Sequence, residues 1–113
     1  MNVTVETKDR QADRCLELMH KDYDECVACM IGQLAHRKCY VRGTLPCKIL
    51  FYGMGPGRRE NIRGIPFVGD SGEVLQSLTY PLRAAKSKHR IAYAFTNLIA
   101  CRPCDRIGGP NRD

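Results

Sequence analysis

Two short apolar runs each end in a loop of residues that bend or stiffen the backbone, and a helical segment lies between them. The first run, Lys48-Ile49-Leu50-Phe51-Tyr52, opens into Gly53-Met54-Gly55-Pro56-Gly57. The second, Ile91 to Ala100, carries Asn97-Leu98-Ile99-Ala100-Cys101-Arg102-Pro103 at its end. Strand, helix, strand predicts a right-handed parallel crossover, because a right-twisted strand feeding a helix packs back onto its sheet only that way. The two loops then open side by side at the edge where open α/β sheets bind ligands. The expected fold class is therefore α/β, with a parallel β-α-β core and a site at that edge.

The remaining segments read less sharply. From about Asp9 to Asp24, Ala12, Cys15, Leu16, Met19 and Tyr23 recur at helical spacing and predict one buried face. Cys15 on that face is expected to be a small buried apolar group. Cys26 to Pro46 has little period and reads as a cysteine-bearing connection with a helical turn. The run at 48–52 suits a strand buried on both faces. Asp70-Ser71-Gly72-Glu73 looks like a helix start in which Asp70 and Glu73 form a capping box, with Leu75, Leu78 and Leu82 as the buried stripe. Pro81 predicts a kink or an early stop. The chain is expected to be a single domain over 1–113, with a helical, cysteine-bearing part at 1–46 and the β-α-β core at 47–113.

Lys plus Arg total 18 against 12 Asp plus Glu, a formal net charge of +6, which favours polyanion partners and nucleic acid first. No stretch approaches the roughly 18 apolar residues of a membrane span, and no apolar leader is visible at the N-terminus. Seven cysteines is an odd and high count for 113 residues. With no leader, that count fits a reducing, cytoplasmic setting, where clustered Cys more often bind metal than form disulfides.

Cys26-x-x-Cys29 and Cys101-x-x-Cys104 can each present two thiolates to one metal. Four thiolates suit tetrahedral zinc or an iron–sulfur cluster, and spacing does not choose between them. Cys39 and Cys47 are reserve ligands with a structural reading. The glycine loop is not a phosphate-binding Walker loop, since no Gly-Lys-Ser/Thr follows it. Arg58, Arg59 and Arg63 follow it, however, and Arg102, Arg106 and Arg112 flank the second loop, and Arg clusters beside glycine-rich backbone suit phosphate. Arg58, Arg59 and Arg102 are the candidate contacts to DNA phosphate. His20, His36 and His89 lack a ligand-like spacing and read as surface residues.

Several motifs taken together resemble a known family. Gly53-Met-Gly-Pro-Gly57, Gly64-Ile-Pro-Phe-Val-Gly69-Asp-Ser-Gly72, Thr96-Asn-Leu-Ile-Ala-Cys101-Arg-Pro103 and Pro110-Asn-Arg112 stand in the order found in the family-4 uracil-DNA glycosylases. The leading Cys26-x-x-Cys29 fits, and the segment from Cys104 to Pro110 resembles a phage-type variant of the usual short turn. The resemblance implies a three-layer α/β/α fold, a 4Fe–4S cluster held by four cysteines (zinc being the alternative), and hydrolysis of the N-glycosidic bond of uracil flipped out of DNA. By the same resemblance Phe67 stacks on uracil, Asn97 bonds its polar edge, Gly53, Gly55 and Gly57 bring backbone to the base, and Glu60 occupies an acidic position of the active-site loop. Cys26, Cys29 and Cys101 match the first three cluster ligands, with Cys104 as the candidate fourth.

Two features depart from the family pattern. Met54 stands where an acidic residue is usual, and a thioether cannot orient or activate water. The chain also ends before the fourth family cysteine, the later His-bearing loop and the remaining strands, so it corresponds to the N-terminal half of the domain. The resemblance thus predicts a glycosylase of weak activity. The competing expectations are a non-catalytic, metal-stabilised module that binds nucleic acid or a replication protein, and a small zinc-ribbon-like protein. An open sheet edge in such a half-domain also calls for a partner chain that completes it.

Overall fold

The computed structural model describes residues 8–104, and the side chains of Lys8, Asp9 and Ser87 are not among what it describes. The motif Pro110-Asn111-Arg112, Arg106 and the turn from Asp105 to Pro110 lie outside the described residues. The order of elements is α1 (Lys8–Tyr23), α2 (Met30–Leu34), β1 (Val41–Gly43), β2 (Ile49–Gly53), α3 (Arg58–Arg63), α4 (Asp70–Leu78), α5 (Tyr80–Ala84), a single 3₁₀ turn (Ser87–His89) and β3 (Tyr93–Asn97).

Three strands form one mixed sheet in the order β1-β3-β2. β2 runs parallel to β3, from Ile49 opposite Tyr93 to Gly53 opposite Asn97. The sequence-based β-α-β unit is therefore present, and it aligns the ends of its two strands. β1 pairs antiparallel with β3, Val41 opposite Thr96 and Gly43 opposite Ala94. This strand was not anticipated, because Val41-Arg42-Gly43 is too short to show alternation and ends in glycine.

β3 is the central strand and carries the core. Ala94 and Phe95 are buried on it, joined by Cys39 and Tyr40 at the entrance to β1. Phe95 stacks on Phe51 at 5.3 Å between ring centroids and touches Phe67 at 5.7 Å. The Thr96 hydroxyl donates to the Tyr40 carbonyl, which ties the antiparallel strand to the centre.

Four expectations are corrected. β2 is an edge strand, not a strand buried on both faces: Leu50 and Tyr52 are 39% and 68% exposed. Cys15 is exposed, because no other described element lies over the helical face that carries it. Leu78 is 72% exposed and leaves the expected stripe to Leu75 and Leu82. The N-cap of α4 is Gly69 with no side-chain cap bond, so Asp70 enters the helix instead of capping it. The break at Pro81 is as expected: α4 stops at Leu78 and α5 starts afresh with the proline in its first turn, where a missing N–H costs nothing.

Candidate functional site

The parallel pairing of Gly53 with Asn97 continues past the strands. Leu98 N donates to Gly53 O at 2.9 Å and Ile99 N to Met54 O at 3.3 Å. The two loops are thereby held together by main chain at the C-terminal edge of the sheet. A cleft of about 360 Å³ opens there, with Gly55, Gly57, Glu60, Phe67, Ser71 and Asn97 among its walls.

Gly53 lies against two of the lining side chains. A Cβ at this position would overlap the Asn97 Oδ1 and would sit 2.7 Å from the Phe67 Cζ. Only a residue without a side chain lets an amide and an aromatic ring approach the same backbone from above. The structure therefore brings together Gly53, Phe67 and Asn97, which the sequence placed in three separate motifs.

Glu60 shapes the wall. Its Oε1 accepts from Gly57 N and its Oε2 from Val68 N, both at 3.0 Å. The first bond is half of a capping box for α3, the other half being impossible for a glycine. The carboxylate thus pins the glycine loop to the Phe67 loop. Phe67 itself sits at φ 58°, a left-handed conformation that costs a non-glycine residue about 1–3 kcal/mol and that surrounding bonds must hold.

The other expected site residues are distributed as follows. Met54 is 81% exposed and stands outside the cleft lining, so its thioether faces solvent. Arg58 and Arg59 line the rim, where Arg59 meets Asp70 at 3.3 Å in an exposed pair. Arg102 is 3% exposed, which leaves its guanidinium almost no surface to offer a phosphate.

Among the cysteines, Cys26, Cys29 and Cys101 are electrostatic neighbours. Burial raises the Cys101 thiol above its ordinary range, the Lys38 charge opposes this, and Cys29 and Cys26 add to it. Cys29 caps α2, its Sγ accepting from Gly32 N at 3.5 Å. Cys104 is buried at 1% exposure, as is Cys39, whose thiol donates to Glu60 O at 3.1 Å and is pushed up to about 12 by burial. All seven thiols are free. Among the described residues, no group of three or more His, Cys, Asp or Glu side chains is arranged to hold a metal ion. Three thiols close enough to perturb one another remain a donor set of the right chemistry for a soft metal or an iron–sulfur cluster.

Sequence reasoning did not find that Ser71 and Asp70 line the cleft, nor that Glu60 spends both oxygens on backbone. The first follows from the Gly69 cap, which brings the start of α4 to the wall. The second depends on a bond across eight residues, which no local pattern displays.

Residues 41–113 match the family model of the uracil DNA glycosylase superfamily. The type-4 uracil-DNA glycosylase of Thermotoga maritima is 31% identical over 91 residues, covering 80% of this chain and 45% of the relative. That of Saccharolobus solfataricus is 31% identical over 88 residues, covering 78% and 39%. The type-4 uracil-DNA glycosylase of Archaeoglobus fulgidus is 36% identical over a shorter stretch of 61 residues. The chain spans less than half the length of these relatives. The mixed α/β architecture agrees with these matches, and the chain belongs to the uracil-DNA glycosylase superfamily, where its similarity is to the type-4 enzymes.

Proposed function

We propose that the cleft receives a uracil turned out of single-stranded or uracil-containing DNA, and that the protein works as a uracil-DNA glycosylase. The convergence of Asn97 and Phe67 over Gly53 carries this reading. Uracil presents an N–H donor flanked by carbonyl acceptors, and one carboxamide supplies the complementary acceptor and donor. The Phe67 ring gives the base a face to stack on, which contributes about 1–3 kcal/mol. Arg58 and Arg59 on the rim are placed for the flanking phosphates, and the net charge of +6 suits that partner.

Hydrolysis is the weaker half of the function. Glu60 is committed to two backbone N–H groups, Asp70 faces Arg59, and Met54 offers a thioether where an acid would orient water. Met54→Glu should raise uracil excision on the order of a hundredfold, scored by alkaline cleavage of abasic sites. No gain would assign the deficit to groups outside residues 8–104. The same observations favour a second reading, a non-catalytic module that binds uracil-bearing DNA or a replication partner without cutting.

Cys26, Cys29 and Cys101 would hold the 4Fe–4S cluster that the type-4 resemblance implies, with Cys104 as the candidate fourth ligand; zinc is the alternative occupant. Such a group would crosslink the start of α2 to the loop after β3. Free thiols throughout fit a reducing, cytoplasmic setting. The segment from Cys104 to Pro110 supports a phage-type branch, and a protein partner at the uncovered edge of β2 belongs to the same proposal.

The deciding experiment is uracil release from a single-stranded oligonucleotide by anaerobically purified protein. Strand cleavage confined to the uracil position establishes the glycosylase. No release, with binding that still prefers uracil over thymine, leaves the module. Neither release nor preference overturns the base-binding cleft.

A further inference from the structure

Phe67 is the one non-glycine residue with a positive φ among the described residues, and the peptide unit that follows it is held from both sides. Its carbonyl accepts from Arg42 Nη1 at 2.8 Å, and the N–H of Val68 donates to Glu60 Oε2 at 3.0 Å. Arg42 comes from β1, on the far side of the sheet from the strand that ends in Gly53. Gln76 of α4 stands behind it. With its amide oxygen turned to the guanidinium, Gln76 accepts from Nη2 at 2.7 Å and Nη1 at 2.6 Å. An arginine has no acceptor, so only the oxygen can face it.

The orientation of the 67–68 peptide is set by ψ of Phe67 and φ of Val68, so bonds to its carbonyl and its N–H fix how the chain leaves Phe67. Turning that peptide over would point its carbonyl at Glu60 and its N–H at Arg42, placing like with like on both sides. Gly72 completes the fit, since a Cβ there would overlap the Phe67 carbonyl. Behind the loop lies a small cavity of about 170 Å³, walled by Arg42, Arg63, Phe67, Val68, Glu73 and Gln76. A loop released by Arg42 has room to relax into it.

We propose that Arg42, braced by Gln76, is a positioning residue: it fixes the Phe67–Val68 peptide and so presents the Phe67 ring to the cleft. Arg42 touches neither the cleft nor a bound base and acts through Phe67 alone. The effect on uracil recognition rests on the base-binding reading above, whereas the hold on the loop does not.

The test separates the two. The chain has no tryptophan, so Phe67→Trp supplies a single indole at the site, excited selectively at the red edge where the five tyrosines do not absorb. Adding Arg42→Met should make that indole markedly more accessible to acrylamide quenching, and Gln76→Leu should move it the same way by less. In the chain with Phe67 retained, Arg42→Met should lower the preference for a uracil over a thymine single-stranded oligonucleotide about tenfold, with thymine binding unchanged. Arg42→Lys, which keeps one charged donor, should restore part of it. Unchanged quenching and unchanged preference in Arg42→Met would overturn the proposal. If Arg42→Met fails to fold, Gln76→Leu decides it by the same two readings. A wild-type chain with no uracil preference would instead sink the cleft reading, and the quenching series would still decide on Arg42.

Discussion

At the scale of single residues, the site depends on what Gly53 lacks. Two side chains, one from the end of β3 and one from the Phe67 loop, meet over its Cα, and one added methyl displaces at least one of them. Gly53→Ala should therefore abolish uracil preference and lower stability by about 1–3 kcal/mol, the usual cost of forcing a group into a packed site. Oligonucleotide binding and thermal unfolding check this, and a variant that still prefers uracil would remove Gly53 from the site. Gly53 was legible as a glycine ending an apolar run, whereas Phe67 and Asn97 were singled out only through the motifs that carry the family resemblance. Glu60 was legible only as an acid at the right place. Its hydrogen bonds to Gly57 and Val68 make it a tie between loops, and that role depends on a fold that brings Val68 back to α3. Arg42 carried no signal, since an arginine in a three-residue strand looks like any surface cation.

At the scale of elements, β2 and β3 were legible because continuous apolar runs ending in glycine or asparagine leave little choice. Their burial was not, because a run of that kind reads alike in a central and an edge strand. β1 was hidden by its length, and α3 by its position inside a loop of glycines and arginines. The N-terminal part is joined to the sheet by side chains more than by packing. Tyr40 donates to Asp24 at 2.8 Å and meets the His20 ring edge-on at 4.7 Å. A metal group at Cys26, Cys29 and Cys101 would add the crosslink that packing does not provide. Cys29→Ser should then lower iron or zinc content and the unfolding temperature together, since metal binding to a folded site is folding free energy. It also weakens the contact that caps α2, so full metal retention with lowered stability would confine Cys29 to capping.

At the scale of the whole molecule, the protein is a slab, 46 × 45 × 18 Å, with a radius of gyration of 16.1 Å. A compact chain of about 100 residues is expected near 13 Å. The excess reflects a long α1 that packs on no other described element and a three-stranded sheet whose two edge strands, β1 and β2, contact only β3, with apolar side chains facing out: Leu50 and Tyr52 on β2, Val74 and Leu78 on α4, Tyr80 on α5. An edge strand of that kind pairs with whatever strand it meets. The isolated chain should self-associate with rising concentration, and Tyr52→Lys should shift it toward monomer in sedimentation velocity. An unshifted distribution would place the association elsewhere. On so thin a body the cleft survives because its frame is main chain: Gly53 O and Met54 O receive Leu98 N and Ile99 N whatever side chains those residues bear. Met54 and Leu98, 81% and 71% exposed, hang from that frame without supporting it. Position 54 is therefore a socket, where evolution or an engineer can exchange the side chain and leave the main-chain frame of the cleft untouched.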